Sequence, residues 1–218
     1  MILQDIIDII EHAAPLKWQE GWDNSGLQVG ERNAQVNAVL LTTDVTEAVV
    51  SEAIAKHCEL VLSHHPLLYH KLKSVTGETA QERIVQMAIK HDIAIYSSHT
   101  PMDSWIHGVS GRMAKKLGMQ NVRLLTGDEE HGLGVIGELS QPMRFGQWLQ
   151  EVKAVFEATY IRYVEPREEW VSRIALCGGA GSEFVEDAIA QGADVFLSAD
   201  CKYHEMETVR GRIGMVDM

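Results

Sequence analysis

The stretch "AVLLTTDVTEAVVSEAIAKHCELVLSHHP", residues 38–66, contains the pattern that decides the fold. It opens with an apolar run over 38–44, continues with helical periodicity over 46–57 and returns to an apolar run over 59–63. Two short apolar runs joined by a helix predict a β-α-β unit with parallel strands. Thr46 stands just before the helical segment, where an N-cap residue is expected.

The alternation of strands and helices continues along both halves of the chain. Further helices are predicted at 2–13, 79–92, 108–119 and 182–192, and further strands at 93–99, 173–179, 193–200 and 211–218. The connecting segment, 127–165, holds a glycine-rich strand, a turn and an amphipathic helix. We therefore expect an α/β protein with two linked three-layer domains, 1–125 and 126–218, each built on a mainly parallel sheet.

An offset of 135 residues aligns the two halves with each other. Residues 39–65 then share seven identities over 27 positions with residues 174–200, and His65 falls on Asp200. Any two β-α-β units resemble each other, so chance similarity is one explanation. The other is a duplicated unit, whose strand ends face each other across a shared cleft.

Two adjacent histidines, His64 and His65, follow the run 59–63 where Pro66 prevents further strand pairing. Neighbouring strand residues point to opposite faces, so both imidazoles can share a site only where the strand breaks. His99 follows the next predicted strand, and Asp103 comes four residues later. Imidazole and carboxylate are ligands of Zn, Fe, Mn and Ni, so His64, His65 and Asp103 form a partial site for one or two divalent ions.

Two alternatives apply to these residues. A satisfied polar loop would also explain the histidine pair. His99 is either a further ligand or a residue that orients a ligand through a hydrogen bond to a carboxylate.

The second half carries polar residues at the matching predicted strand end, in "SADCKYHEM" (198–206). Lys202 and Tyr203 could bind an anionic substrate, and His204 could move protons. A solvated turn between strand and helix is the alternative.

A glycine-rich turn, "CGGAGS" (177–182), precedes a predicted helix. Its backbone amides could hold a phosphate or carboxylate at the helix N-terminus. The residues concerned are Gly178, Gly179, Gly181 and Ser182. The turn matches neither a dinucleotide fingerprint nor a P-loop, and tight packing is the commoner reason for such glycines.

The overall composition excludes several classes of protein. The 218 residues are 45% hydrophobic, and 31 acidic residues against 19 basic ones give a net charge of −12. This charge makes nucleic acid an unlikely partner and disfavours an anionic membrane surface. No apolar run reaches the length of a membrane span, and the N-terminal segment lacks the basic start of a signal peptide. Three scattered cysteines indicate no disulfide framework, so we expect a cytoplasmic protein.

Six ordered segments resemble a known family. They are "WDNSGLQVG" (22–30), "LVLSHHP" (60–66), "SSHTPMD" (97–103), "GLGVIGEL" (132–139), "CGGAGS" (177–182) and "SADCKYHE" (198–205). Their order and spacing are similar to those of the NIF-three-like dinuclear-metal proteins, also called GTP cyclohydrolase I type 2 homologues. One mild departure is Ser-Ala-Asp at 198–200, where the family more often has Thr-Gly-Asp.

The resemblance implies a homohexamer, a trimer of dimers, with a site for two divalent ions facing an inner cavity. It implies that His64, His65 and Asp103 are the first three ligands. The family's remaining ligands are a His and a Glu in a "G-H-x-x-[ST]-E" segment that directly follows a strand like 211–218. This segment does not occur before Met218, so the resemblance implies a longer chain.

Two functions are compatible with these residues. The first is a metal-dependent hydrolase acting on a nucleotide or another small anion, in which the metals polarise a substrate oxygen and lower the pKa of a water molecule. His204 or His99 would then transfer protons, and Lys202 and the 178–182 turn would orient the substrate. The second is a non-enzymatic hexameric metal-binding scaffold or regulatory interaction protein. Turnover of a nucleotide or phosphoester would separate the two.

Overall fold

The structure, a computed structural model, describes residues 1–218, and the chain forms two compact units, Met1–Met102 and Asp103–Met218. The helices are α1 (Leu3–Ala13), α2 (Glu47–Ala55), α3 (Ala80–Lys90), α4 (Thr100–Ser104), α5 (Val109–Lys116), α6 (Phe145–Val155), α7 (Val185–Ala190) and α8 (Tyr203–Thr208). The strands are β1 (Gly26–Val29), β2 (Val39–Thr42), β3 (Leu60–Ser63), β4 (Ala94–Ser97), β5 (Gln120–Leu124), β6 (Val135–Arg144), β7 (Arg162–Val164), β8 (Trp170–Leu176), β9 (Val195–Ser198) and β10 (Gly214–Asp217). None of the α-helices combines the length and the apolar character that a membrane crossing requires.

The first unit is built on a four-stranded sheet with the order β1-β4-β3-β2. Strands β2, β3 and β4 are parallel, and β1 pairs antiparallel with β4. Helices α2 and α3 pack on one face of the sheet, and α1 packs on the other through Leu3 and Ile7. This unit therefore has the expected three layers, and the carboxyl ends of β2, β3 and β4 lie side by side.

Side-chain caps begin the two central helices of the first unit. The Val49 amide donates to Thr46 Oγ1 at 3.2 Å, and the Glu82 amide donates to Thr79 Oγ1 at 3.2 Å. Each cap satisfies an amide that the helix itself leaves without an acceptor. The predicted N-cap at Thr46 is confirmed.

The second unit is built on a six-stranded sheet with the order β5-β6-β8-β9-β10-β7. Helices α5 and α6 pack on one face of this sheet, and α7 packs on the other. The pairs β8–β9 and β9–β10 are parallel, whereas β5–β6, β6–β8 and β10–β7 are antiparallel. The expected mainly parallel sheet is thus found in the first unit only, because β5, β6 and β7 enter the second sheet antiparallel.

The two sheets share a four-stranded substructure. The strands β7-β10-β9-β8 repeat β1-β4-β3-β2 in spatial order, in direction and in order along the chain. The offset of 135 residues places Leu60–Ser63 of β3 on Val195–Ser198 of β9. This common topology supports a duplicated unit over chance similarity.

The compact units divide earlier in the chain than the boundary predicted at residue 125. Helix α5 and strand β5 belong to the second unit. The reason is that β5 pairs with β6, and Ala114 of α5 is buried in the core of the second sheet.

Candidate metal centre

Three histidines lie together at the carboxyl edge of the first sheet. His64 and His65 follow β3, and His99 stands two residues beyond the end of β4. The ring centroids are 4.9 to 5.4 Å apart. One ring nitrogen from each histidine lies within 4.8 Å of the other two, which is a spacing that a single metal ion could bridge. We call these three residues the histidine cluster.

Buried hydroxyl groups fix the backbone that carries the histidine pair. Ser63 Oγ donates to the carbonyl of His65 at 2.9 Å, and Ser97 Oγ donates to the same carbonyl at 3.3 Å. The His64 amide still donates to the carbonyl of Thr42, the last residue of β2, at 3.1 Å, and the His65 amide donates to the carbonyl of Thr43 at 2.9 Å. The strand alternation ends at this turn, so both imidazoles reach one site.

Two histidines of the cluster are oriented by carboxylates. His65 Nδ1 donates to Asp44 Oδ1 at 2.8 Å, and His99 Nδ1 donates to Asp23 Oδ1 at 2.9 Å. An ionised carboxylate only accepts hydrogen bonds, so it fixes the proton on Nδ1 of a neutral imidazole. The lone pair then resides on Nε2, which is the usual arrangement of histidine metal ligands.

His64 is also oriented through its Nδ1 atom, but by a backbone carbonyl and not by a carboxylate. Its Nδ1 donates to the carbonyl of Ser98 at 3.1 Å, so Nε2 carries the lone pair. Burial lowers the pKa of His64, and the neighbouring His99 and His65 lower it further. The imidazole is therefore held in the neutral form that binds metal.

The side chain of Asp23 has a solvent exposure of 0%, although the residue as a whole is half-buried. Burial by itself raises the pKa of this carboxyl group. The hydrogen bonds from His99, Thr100, Ser25 and the Asn24 amide outweigh burial and hold the pKa well below its usual range. Asp23 is therefore a carboxylate at neutral pH, and it holds both His99 and the start of α4 through Thr100 Oγ1 at 2.5 Å.

The chemistry of these donors fits a divalent metal ion. Three imidazoles converge, and the Nδ1 of each lies within hydrogen-bonding distance of an oxygen acceptor. A satisfied polar loop does not require one ring nitrogen from each of three histidines to lie within 4.8 Å of the other two. The cluster could hold Zn, Fe, Mn or Ni, all of which accept imidazole.

His99 belongs to the cluster, which favours a ligand role over that of an orienting residue. Sequence reasoning missed both of the carboxylates that orient the cluster. Asp44 closes the predicted strand 38–44, so the rule that parallel strand ends meet would have placed it near His65. Asp23 lies 76 positions from His99 and is part of a turn-rich stretch, so no local pattern marks it.

Asp103, the third predicted ligand, is half-buried in α4. It is the first residue of the second unit, and the group of converging donors consists of the three histidines. Burial, together with the negative charge of Asp103, raises the pKa of Cys177 to about 12. The thiol of Cys177 is therefore protonated. The role of Asp103 as a metal ligand stays a prediction.

Lys202, Tyr203 and His204 lie exposed at the start of α8. Lys202 Nζ is 3.7 Å from Glu205 Oε1, and the rings of Tyr203 and His204 meet edge to face at 5.3 Å. Their predicted roles in substrate binding and proton transfer stay predictions.

The glycine-rich turn uses two of its amides within the second unit. Gly178 N donates to Ser110 Oγ at 3.1 Å, and Gly181 N donates to Ser198 Oγ at 2.9 Å. A Cβ at Gly181 would lie 2.5 Å from Cys177 Sγ, so close packing alone explains this glycine. Substrate binding by Gly178, Gly179, Gly181 and Ser182 stays a prediction.

Comparisons with known proteins agree with this fold. The family profile described as Duf34/NIF3 (NGG1p interacting factor 3) matches residues 1–218. A GTP cyclohydrolase 1 type 2 homolog of Clostridium perfringens is 37% identical over 207 residues, which cover 94% of this chain and 79% of the relative. A protein of the same description from Streptococcus pneumoniae is 35% identical over 210 residues, with coverages of 94% and 78%.

Solved structures show the same architecture. A Staphylococcus aureus protein superimposes with a TM-score of 0.93 at 26% identity, covering 100% of this chain and 85% of that one. The Bacillus cereus protein related to NIF3 gives a TM-score of 0.92 at 24% identity, with coverages of 100% and 87%. Since the family profile spans the entire sequence, and relatives above 30% identity cover most of it, the chain belongs to the Duf34/NIF3 family.

Proposed function

We propose that the protein is a metal-dependent hydrolase that acts on a nucleotide or a related anionic small molecule. The observation that supports this proposal is the convergence of three imidazoles, each with Nδ1 bound to an oxygen acceptor. The relatives described as GTP cyclohydrolase 1 type 2 homologs support the reaction class.

In this proposal, His64, His65 and His99 hold a divalent ion, while Asp23 and Asp44 keep the ligand rings in place. A bound ion supplies Lewis-acid chemistry, which polarises a substrate oxygen and lowers the pKa of a water molecule. We extend the proposal to two ions per subunit, with Asp103 as a ligand, and to a hexameric assembly.

Proton transfer is assigned to His204 and not to His99. His99 Nδ1 is bound to the buried Asp23, and the ring lies within the cluster, so both ring nitrogens already have a use. The exposed His204 and Lys202 have the chemistry to move a proton and to bind an anion, respectively. The 178–182 turn completes the proposed anion-binding group.

The double variant His64→Ala, His65→Ala tests the proposal. We expect it to lose the bound metal, measured by elemental analysis of the purified protein, and to lose hydrolysis of GTP. The matched control is His12→Ala, which removes an exposed imidazole from the last turn of α1 and should retain both properties. Metal retained by the double variant at the level of the control would contradict the assignment of the cluster.

A non-enzymatic scaffold is the second candidate function. Its support is the family description, which names an interacting factor and no reaction. If the metal-loaded protein hydrolyses neither nucleotides nor phosphoesters, while the double variant keeps the assembly of the unmodified chain, this second function replaces the first.

A further inference from the structure

Two large aromatic side chains stand exposed beside the histidine cluster. Trp22 is 57% exposed and Tyr69 is 47% exposed. Their ring centroids are 6.2 Å apart, in an edge-to-face arrangement. The Trp22 ring is also 5.8 Å from the His99 ring, so the aromatic pair adjoins the cluster directly. We call Trp22 and Tyr69 the aromatic wall.

The backbone that carries the aromatic wall is held in place by polar side chains. Asn24 Nδ2 donates to the carbonyl of Leu68 at 2.8 Å, and the Leu68 amide donates to Gln28 Oε1 at 2.9 Å. Gln28 Nε2 in turn donates to the carbonyl of Asn24 at 2.6 Å. These bonds tie the segment before Tyr69 to the segment after Trp22, so the rings are presented on a fixed frame.

The aromatic wall lies outside the hydrophobic core of the first unit. Neither Trp22 nor Tyr69 contributes to the two hydrophobic clusters on the faces of the first sheet. Adjacent exposed aromatic rings next to a polar site are typical of a ligand-binding surface.

We propose that the aromatic wall stacks against a planar nitrogen-containing ring of the ligand, while a polar group of the same ligand reaches the histidine cluster. An aromatic side chain can stack against any nucleobase, because every base has a π-face. The distance of 5.8 Å between Trp22 and His99 allows a single nucleotide-sized molecule to touch both groups. This inference deepens the proposed function, since it names the part of the substrate that the site recognises.

The test compares ligands that differ only in the ring. The protein, loaded with Zn²⁺, is titrated with GMP, AMP and ribose 5-phosphate in a calorimeter. We expect both nucleotides to bind at least about tenfold more tightly than ribose 5-phosphate, as expected for stacking of one base. Trp22→Ala combined with Tyr69→Ala should remove this difference, whereas Trp22→Phe should keep most of it because an aromatic face remains.

The control variant combines Tyr160→Ala with Trp170→Ala. These residues are 73% and 54% exposed and belong to the second unit, so the variant removes similar exposed rings elsewhere and should bind GMP normally. Zinc content, measured by elemental analysis, should be unchanged in the Trp22/Tyr69 variant. The weakened binding would then come from the lost rings and not from a lost metal.

Two outcomes would overturn the inference. One is equal binding of GMP and ribose 5-phosphate by the unmodified protein, or no binding of either nucleotide. The other is a Trp22/Tyr69 variant that binds GMP normally but has an altered mass in light scattering, which would assign the wall to a subunit contact. Because the assay measures binding, a protein that binds nucleotides without hydrolysing them would contradict the proposed hydrolase and leave the aromatic wall supported.

Discussion

The two carboxylates that orient the histidine cluster differ strongly in their exposure to solvent. The side chain of Asp23 is 0% exposed, whereas that of Asp44 is 67% exposed. A hydrogen bond in a buried setting is electrostatically stronger than one in water, and its loss leaves buried polar groups without a partner. Asp23 should therefore influence its histidine more strongly than Asp44 does.

The variant Asp23→Asn tests this difference. The amide removes the charge that fixes the proton on His99 Nδ1, so we expect zinc affinity to fall by about 10- to 100-fold. Asp44→Asn is the matched control, and its effect should be several times smaller because water can replace the lost interaction. Zinc titrations of both variants, with thermal unfolding to confirm folding, measure the result. Equal losses of affinity would contradict the ranking.

At this scale, the sequence predicted that His64 and His65 share a site, left the role of His99 open and did not indicate the carboxylates behind the histidines. Pro66 marks the break after β3, and the pair of histidines at that break predicted a shared site. Asp23 acts through a contact with His99 that spans 76 positions, and only the folded chain reveals it. Trp22 lies in the same turn-rich stretch, and its place beside His99 depends on the same long-range folding.

At the scale of elements, a single carboxylate joins the starts of two neighbouring strands. Glu59 precedes β3, and its carboxylate accepts from the amides of Asn37 and Ala38, just before β2, at 2.9 and 3.0 Å. These two hydrogen bonds, together with one from the Asn37 side chain, lower the pKa of Glu59 to about 2. The charged form of Glu59 therefore stabilises the end of the sheet opposite the histidine cluster.

The stabilisation by Glu59 should depend on pH. A carboxyl group with a lowered pKa in the folded state stabilises the protein above its unfolded value of 4.5, and this contribution is lost as the pH falls towards 2. We expect Glu59→Gln to cost about 1 kcal/mol at pH 7, because the site is partly solvated, and progressively less below pH 4.5. Chemical unfolding of both proteins across pH 3 to 7 measures the difference. The exposed Glu31→Gln serves as control, and a pH-independent cost for Glu59→Gln would refute the assignment.

Most helices were predicted from their periodicity, whereas three of the four edge strands, β1, β5 and β7, were not predicted. Helices α2 and α3 follow threonine caps and carry apolar stripes, which are local signals. Strand β1 has only four residues, and Gly26 and Gly30 make its surroundings resemble a turn. Strand β7 has three residues, and its antiparallel pairing with β10 involves contacts about fifty positions away.

At the scale of the whole molecule, one topology is used twice with different functional content. In both sheets, the central strand ends in a buried serine, Ser63 or Ser198, whose hydroxyl bonds to nearby backbone. The first sheet continues into two histidines, whereas the second continues into Ala199 and Asp200. The repeat in the sequence left duplication and chance similarity open, and the shared topology supports duplication. The antiparallel additions β5 and β6 distinguish the second sheet from the first.

Strand β1 pairs with β4, and strand β7 pairs with β10, which is the last strand of the second sheet along the chain. These pairings have a consequence for folding during protein synthesis. The first sheet can close once residues 94–97 have left the ribosome, but the second must wait for residues 214–217. Domains generally fold as units while the chain is still growing, so the histidines should gather before the second sheet exists. Stalled nascent chains of increasing length, treated with protease, should show protection of the N-terminal half first. Simultaneous protection of both halves would mean that neither closes alone.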